Sequence, residues 1–223
     1  MKRLIIAIDG PSGAGKGTIA RTIADALRYR HVDTGAMYRA VAWKALHDGL
    51  SLEDEAAVAA LADRSQITVE GGRVSIDGHD VTQAIRTPEI DKAASSVARM
   101  PRVREVLVAR QRRLGEQGGI VMEGRDIGTV VFPNADLKIY LDASAEERAR
   151  RRLNDAAHSG GKTGEAAVAA SIQARDRSDT TRTASPLTMA ADAVLIDTTG
   201  VPIAGVVARV MKLVADKARP TGP

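Results

Sequence analysis

Between residues 10 and 17, within the stretch RLIIAIDGPSGAGKGTIA, the chain places four glycines and one lysine. Glycine costs backbone entropy, so this density calls for a use, and the one that fits is letting several main-chain N–H groups crowd around one anion. Gly10, Gly15 and Lys16 match G-x-x-x-x-G-K. In that pattern loop amides and the next helix N-terminus hold phosphate while the lysine reaches the β- and γ-phosphates. The candidate phosphate loop is therefore Gly10, Pro11, Ser12, Gly13, Ala14, Gly15, Lys16, Gly17 and Thr18. The pattern expects Ser or Thr directly after the lysine, but Gly17 stands there. Thr18 becomes the candidate hydroxyl for a nucleotide-borne Mg²⁺.

Composition narrows the chemistry. With no cysteine, disulfides, thiol nucleophiles and cysteine–zinc sites are excluded, and the four histidines lack metal-ligand spacing. Net charge is +4, yet one Phe, one Trp and three Tyr leave little to stack on bases, so nucleic acid is not the expected partner. The arginines cluster instead in short runs, EERARRRLND, RDRSDTTR and PRVREVLVARQRR, that suit a small polyanion. The N-terminal apolar run stops at Asp9, too short for a signal peptide, and no later stretch could span a membrane, so a cytoplasmic protein is expected.

These residues need a scaffold, and 223 residues suffice for one large α/β domain with insertions. Leu4 to Ile8 reads as a buried parallel strand and Thr18 to Leu27 as a helix, the order a phosphate cradle requires. Asp33 or Thr34 can cap a helix to about His47, and a second helix is expected over 52–63. Alternation around Gly71-Gly72 predicts a β-hairpin within an inserted segment, 64–84. Helices are predicted at 88–98 and 101–116, followed by a core strand in GIVMEGRDIGTVVFP that ends in its acidic and basic residues and by another strand in DLKIYLD. Ser144 and Glu147 form the pattern of a capping box for a basic helix, and HSGGKTGE reads as a mobile loop. A helix in EAAVAASIQARDRSD, a strand in DAVLIDTTG and a helix over 203–217 complete the chain.

The ordered segments IDGPSGAGKGT, DTGAMYR, KAASSVARMPRVRE, VMEGRDIGTVVFP and RDRSDTTRTASPL span nearly the whole chain. Together they resemble the nucleoside monophosphate kinases, and among them the bacterial cytidylate kinases. The resemblance implies a P-loop parallel sheet flanked by helices: a core over about 1–50, 99–147 and 166–217, a nucleotide-binding insertion over 51–98, a lid over 148–165, and a flexible tail at 218–223. It implies transfer of the ATP γ-phosphoryl group to CMP or dCMP, with Mg²⁺ carried by ATP. Arg39, Arg125 and Arg182 would bind the acceptor phosphate, and Asp179 the sugar hydroxyls. Ser95, Arg104 and Asp126 would read the base, with Thr34 where the family commonly has Ser. Lys16, Arg125 and Arg182 would carry the catalysis, and Arg151 would join the ATP site, with Arg148, Arg152 and Arg175 as further candidates for phosphate.

A phosphate acceptor is already anionic, so the chemistry calls for cations and positioning rather than a base. Cytosine offers an N4 donor beside N3 and O2 acceptors, which a carboxylate and an arginine complement, whereas uracil would meet Asp126 acceptor to acceptor. A kinase preferring UMP or AMP is the alternative. A regulatory GTPase is a poorer one, because DTTG at 197–200 falls on the last strand and no N-K-x-D occurs. With no coiled-coil pattern, a monomer is expected.

Overall fold

The computed structural model of the protein describes residues 3–154 and 164–218. The predicted loop residues 158–163 and tail residues 219–223 lie outside it. The elements run β1 (Ile5–Asp9), α1 (Lys16–Leu27), β2 (Arg30–Asp33), α2 (Thr34–His47), α3 (Glu55–Arg64), β3 (Ile67–Glu70), β4 (Arg73–Ile76) and β5 (His79–Asp80). Then come α4 (Pro88–Val97), α5 (Pro101–Gly115), β6 (Ile120–Gly124), a π-helical turn (Ile127–Val131), β7 (Leu137–Asp142), α6 (Ala145–Leu153), α7 (Glu165–Thr181), β8 (Val194–Asp197) and α8 (Ile203–Ala218).

Five parallel strands form one sheet in the order β2-β6-β1-β7-β8. The apolar run of β1 is the reason it sits in the middle. Ile6 and Ile8 pack with Ile19, Ile23, Val206 and Val210 of α1 and α8, while Ala7 faces the opposite core of Val41, Leu61 and Leu107. A strand covered on both faces buries every side chain, at about 2 to 3 kcal/mol for each isoleucine. The β3-β4-β5 sheet is antiparallel and packs Val74 and Ile76 onto Ala36 and Ala40 of α2. Its expected hairpin turn is present. Gly71 and Gly72 both have positive φ, 58° and 80°, as a two-residue turn of this hand requires.

Caps decide the helix starts. Asp33 accepts from Ala36 N at 3.0 Å, so α2 opens where the sequence reading placed it. Asp54 accepts from Ala57 N at 2.9 Å and delays α3 to Glu55, while Leu52, expected inside that helix, packs against the core from the preceding turn. Ser144 accepts from Glu147 N at 3.2 Å, but the reciprocal half of the expected capping box is not made. Glu147 turns its carboxylate to Arg150 and Arg151, and Ser144 N donates to Thr199 Oγ1 at 2.9 Å instead. Charged donors outcompete a neutral amide for a carboxylate.

The strand in GIVMEGRDIGTVVFP ends at Gly124, among the acidic and basic residues expected to close it. Asp9, at the end of β1, accepts from Ile127 N at 2.8 Å and Gly128 N at 2.7 Å, folding the chain into a π turn closed by Phe132 N to Ile127 O at 2.7 Å. Asp9 is buried, and burial pushes its pKa up to about 6 against the pull of those two amides. A folded-state pKa above the ordinary carboxyl value means the native state holds the proton more tightly. Its contribution to stability is present below about pH 4 and lost as pH rises through 6. The stability of the protein relative to its Asp9→Asn variant should therefore fall by about 3 kcal/mol between about pH 4 and pH 7, read from denaturant midpoints. A pH-independent difference would refute the burial-driven shift.

Candidate active site

In a parallel sheet the connections at the carboxyl ends of the strands converge on one edge, where a crevice opens. Here a cleft of about 580 Å³ lies at the ends of β1, β2 and β6. The glycine loop, both sides of the β2–α2 junction, the segment Glu123–Asp126, and residues of α4, α5 and α7 line it.

The loop supplies Ser12, Gly13, Gly15, Lys16, Gly17 and Thr18 to the cleft. Gly10 carries φ 148°, and a Cβ there would overlap the carbonyl oxygen of Leu141, so only glycine lets the loop cross β7 this closely. Pro11 and Ala14 lie in the loop's buried floor. Lys16 opens α1 and is only 7% exposed, its Nζ donating to Pro11 O at 2.7 Å. Burial, and then the Arg125 charge, hold its pKa well below that of an ordinary lysine. A Cβ at Gly17 would lie 3.4 Å from Glu123 Oε1, an ordinary contact, and Thr18 is exposed on the first turn of α1 and lines the cleft.

Opposite the loop stand the predicted arginines. Arg39 donates through Nε to Asp91 Oδ1 at 3.2 Å and pairs with Asp33 at 3.5 Å; both carboxylates outweigh burial and raise its pKa. Arg125 donates to Asp179 Oδ2 at 2.7 Å. Burial opposes its charge, but Asp179 prevails and raises the Arg125 pKa, while Arg125 in turn holds the buried Asp179 below the usual carboxylate range. Arg182 follows α7 and donates through Nε to Ser185 O at 2.7 Å, with Asp126 and Asp179 at 3.7 and 3.9 Å. Its Nη2, the atom nearest Asp126, is buried and makes no hydrogen bond among the described residues. Burial, then the neighbouring Arg104 charge, lower its pKa.

Arg104 and Asp126, from α5 and the end of β6, form a buried ion pair. The Arg104 guanidinium also lies 5.5 Å from the centroid of the Tyr38 ring and donates to Ala98 O at 3.2 Å, and its Nε has no hydrogen-bond partner among the described residues. Ser95 Oγ donates to Asp91 O at 3.1 Å, and Thr34 Oγ1 to Glu123 O at 2.7 Å. Both residues line the cleft.

The basic helix α6 divides. Arg152 joins Arg175 of α7 in the cleft lining. Arg148 is turned to Asp176, Ser12 O and Ala143 O. Arg151 donates to Thr198 O at 2.7 Å and to Glu147 at 2.8 Å beside Gly15 of the loop, outside the cleft lining. Sequence reasoning missed Tyr38, Glu123 and Asp91. Glu123 was visible as an acid in an otherwise apolar strand, and Tyr38 lies inside the quoted DTGAMYR. Asp91 gave no signal, because an acid in a helix's first turn already has a use against the helix dipole.

Among the described residues no helix is long and apolar enough to cross a membrane, and no group of three or more His, Asp or Glu could hold a metal ion. The family model described as cytidylate kinase matches residues 6–216. A protein named cytidylate kinase from Desulfitobacterium hafniense (strain Y51) is 52% identical over 219 residues, covering 97% of this chain and 94% of that one. Another of that name, from Enterococcus faecalis (strain ATCC 700802 / V583), is 46% identical over 221 residues, covering 97% and 98%. A crystal structure of an uncharacterized protein from Eubacterium ventriosum ATCC 27560 shares the fold at a TM-score of 0.54 and 10% identity, covering 97% of this chain and all of that one.

Proposed function

The chain belongs to the cytidylate kinase family, and from that premise we propose that its cleft transfers the γ-phosphoryl group of ATP to the phosphate of CMP or dCMP. The observation that carries this reading is the joining, in one cleft, of a glycine loop with a buried lysine to a fan of arginines opposite it. Two anions must meet there, and their repulsion is the barrier. Lys16 would take the β- and γ-phosphates and lies on the transfer path, while Arg39, Arg125 and Arg182 would hold the acceptor phosphate in line. Asp179, fixed by Arg125, would accept from the sugar hydroxyls. Thr18 offers one exposed hydroxyl beside the lysine, which fits a Mg²⁺ ion arriving on ATP and neutralising charge on the phosphates. The protein would work as a cytoplasmic monomer.

For the base, Asp126 would accept from N4 of cytosine, with Arg104 donating to N3 and O2 and Ser95 beside them. Their mutual ion pair fixes both groups before substrate arrives. Wild-type rates with ATP and each of CMP, dCMP, UMP and AMP test the reading, and a preference for AMP or UMP would overturn it. Asp126→Asn supplies a donor as well as an acceptor, so it should lower kcat/KM for CMP relative to UMP by about 30-fold, a mismatch worth about 2 kcal/mol. An unchanged ratio would return base recognition to Arg104 and Ser95.

A further inference from the structure

Three of the cleft arginines share one carboxylate. Asp91 Oδ1 accepts from Arg39 Nε and from Arg175 Nη1, both at 3.2 Å, and its Oδ2 accepts from Arg152 Nη2. The arginines come from three helices, α2, α6 and α7, and Asp91 from a fourth, α4. All three guanidinium groups line the cleft; Asp91 is not among the lining residues.

We propose that Asp91 is a positioning residue, which gathers Arg39, Arg152 and Arg175 into one phosphate-facing fan and offsets their mutual repulsion. Each guanidinium carries five N–H donors, so one spent on Asp91 leaves others for phosphate. Their crowding is real. Burial, with the Arg125 and Arg39 charges, lowers the Arg175 pKa to about 10, and Asp91 opposes that loss. Without a shared anion, three like charges on separate helices would swing toward water, and the fan would have to be assembled at each substrate encounter. The tie also crosses the molecule. It joins α4, which follows the β3-β4-β5 sheet, to α6 and α7 beyond the glycine loop, so the two sides of the cleft are held in one register.

This inference rests on the kinase reading of the cleft, and wild-type turnover of CMP in the same assay tests that reading separately. Asp91→Asn keeps the size and removes the charge. Misplacing the arginines should lower kcat about tenfold or more, because positional errors of an ångström are costly in a phosphoryl transfer site. Because the fan must then be assembled at each encounter, the Kd of inorganic pyrophosphate, read by calorimetry, should rise as well. Asp91→Glu restores the anion and should return kcat to within about threefold of wild type. Two results would overturn the proposal. One is an unchanged kcat in Asp91→Asn. The other is an Asn variant that melts early or fails to fold, or loses pyrophosphate binding together with kcat without recovery in Asp91→Glu, which would make Asp91 part of the fold and not of the fan.

Discussion

Lys16→Ala is expected to lower kcat by about a thousandfold or more, close to 4 kcal/mol of barrier, with the fold intact. The size follows from where the ammonium sits. Its Nζ rests on Pro11 O inside the loop, and with burial and Arg125 both acting against its charge, the group gains most when an anion arrives. Nucleotide phosphates are that anion, and the charge developing between donor and acceptor strengthens the contact further along the reaction. Alanine removes an interaction made best in the transition state, so kcat should fall far more than KM for ATP rises. Melting should hold or improve, since a buried charge is removed. Turnover near the wild-type rate in a variant shown to be folded by circular dichroism would refute the assignment.

Arg125→Ala should cost about a hundredfold to a thousandfold in kcat/KM for CMP while leaving KM for ATP little changed. Arg125 lies between two tasks. Its Nε holds Asp179 and its Nη1 donates to Gly124 O at 3.3 Å, while the residue lines the cleft in which the acceptor phosphate would sit. Truncation leaves Asp179, whose side chain is 8% exposed, with the Arg175 charge and the more distant Arg182 at 3.9 Å, so the Asp179 pKa should rise and stability fall by about 3 kcal/mol at neutral pH. Arg125→Lys separates the roles. A lysine keeps the charge near Asp179 and most of the stability, but a single ammonium cannot grip phosphate in a fork, so activity should stay low. A lysine variant with full activity would show that only the charge at this position matters.

Much of this site was legible in the sequence because its signals are local. The loop Gly10 to Thr18 is one strand-loop-helix segment, and its glycines answer to contacts within a few ångströms of backbone. The cap at Asp33, the hairpin at Gly71-Gly72 and the alternating cores of β1 are likewise set by residues a few positions apart. The resemblance in five ordered segments then brought Arg39, Arg104, Arg125, Asp126, Asp179 and Arg182 into one list. The structure places all six around one cleft.

The residue types alone establish a phosphate loop, the α/β rhythm, the excess of arginine and the lack of thiol chemistry. Which arginines face the cleft is settled by packing. Arg148, Arg151 and Arg152 are neighbours on one helix, yet Arg152 faces the cleft while Arg148 and Arg151 are held by Asp176, Glu147 and Thr198. An arginine's direction is set by the nearest acceptor, and those acceptors lie 4 to 136 residues away along the chain. The same holds beyond the end of β6, where Asp9, more than a hundred residues earlier, gathers the following backbone into a π turn. Periodicity reports what a segment prefers alone; a buried carboxylate collecting two amides is a long-range bond, and it wins because leaving it unmade would cost more than the local preference gains.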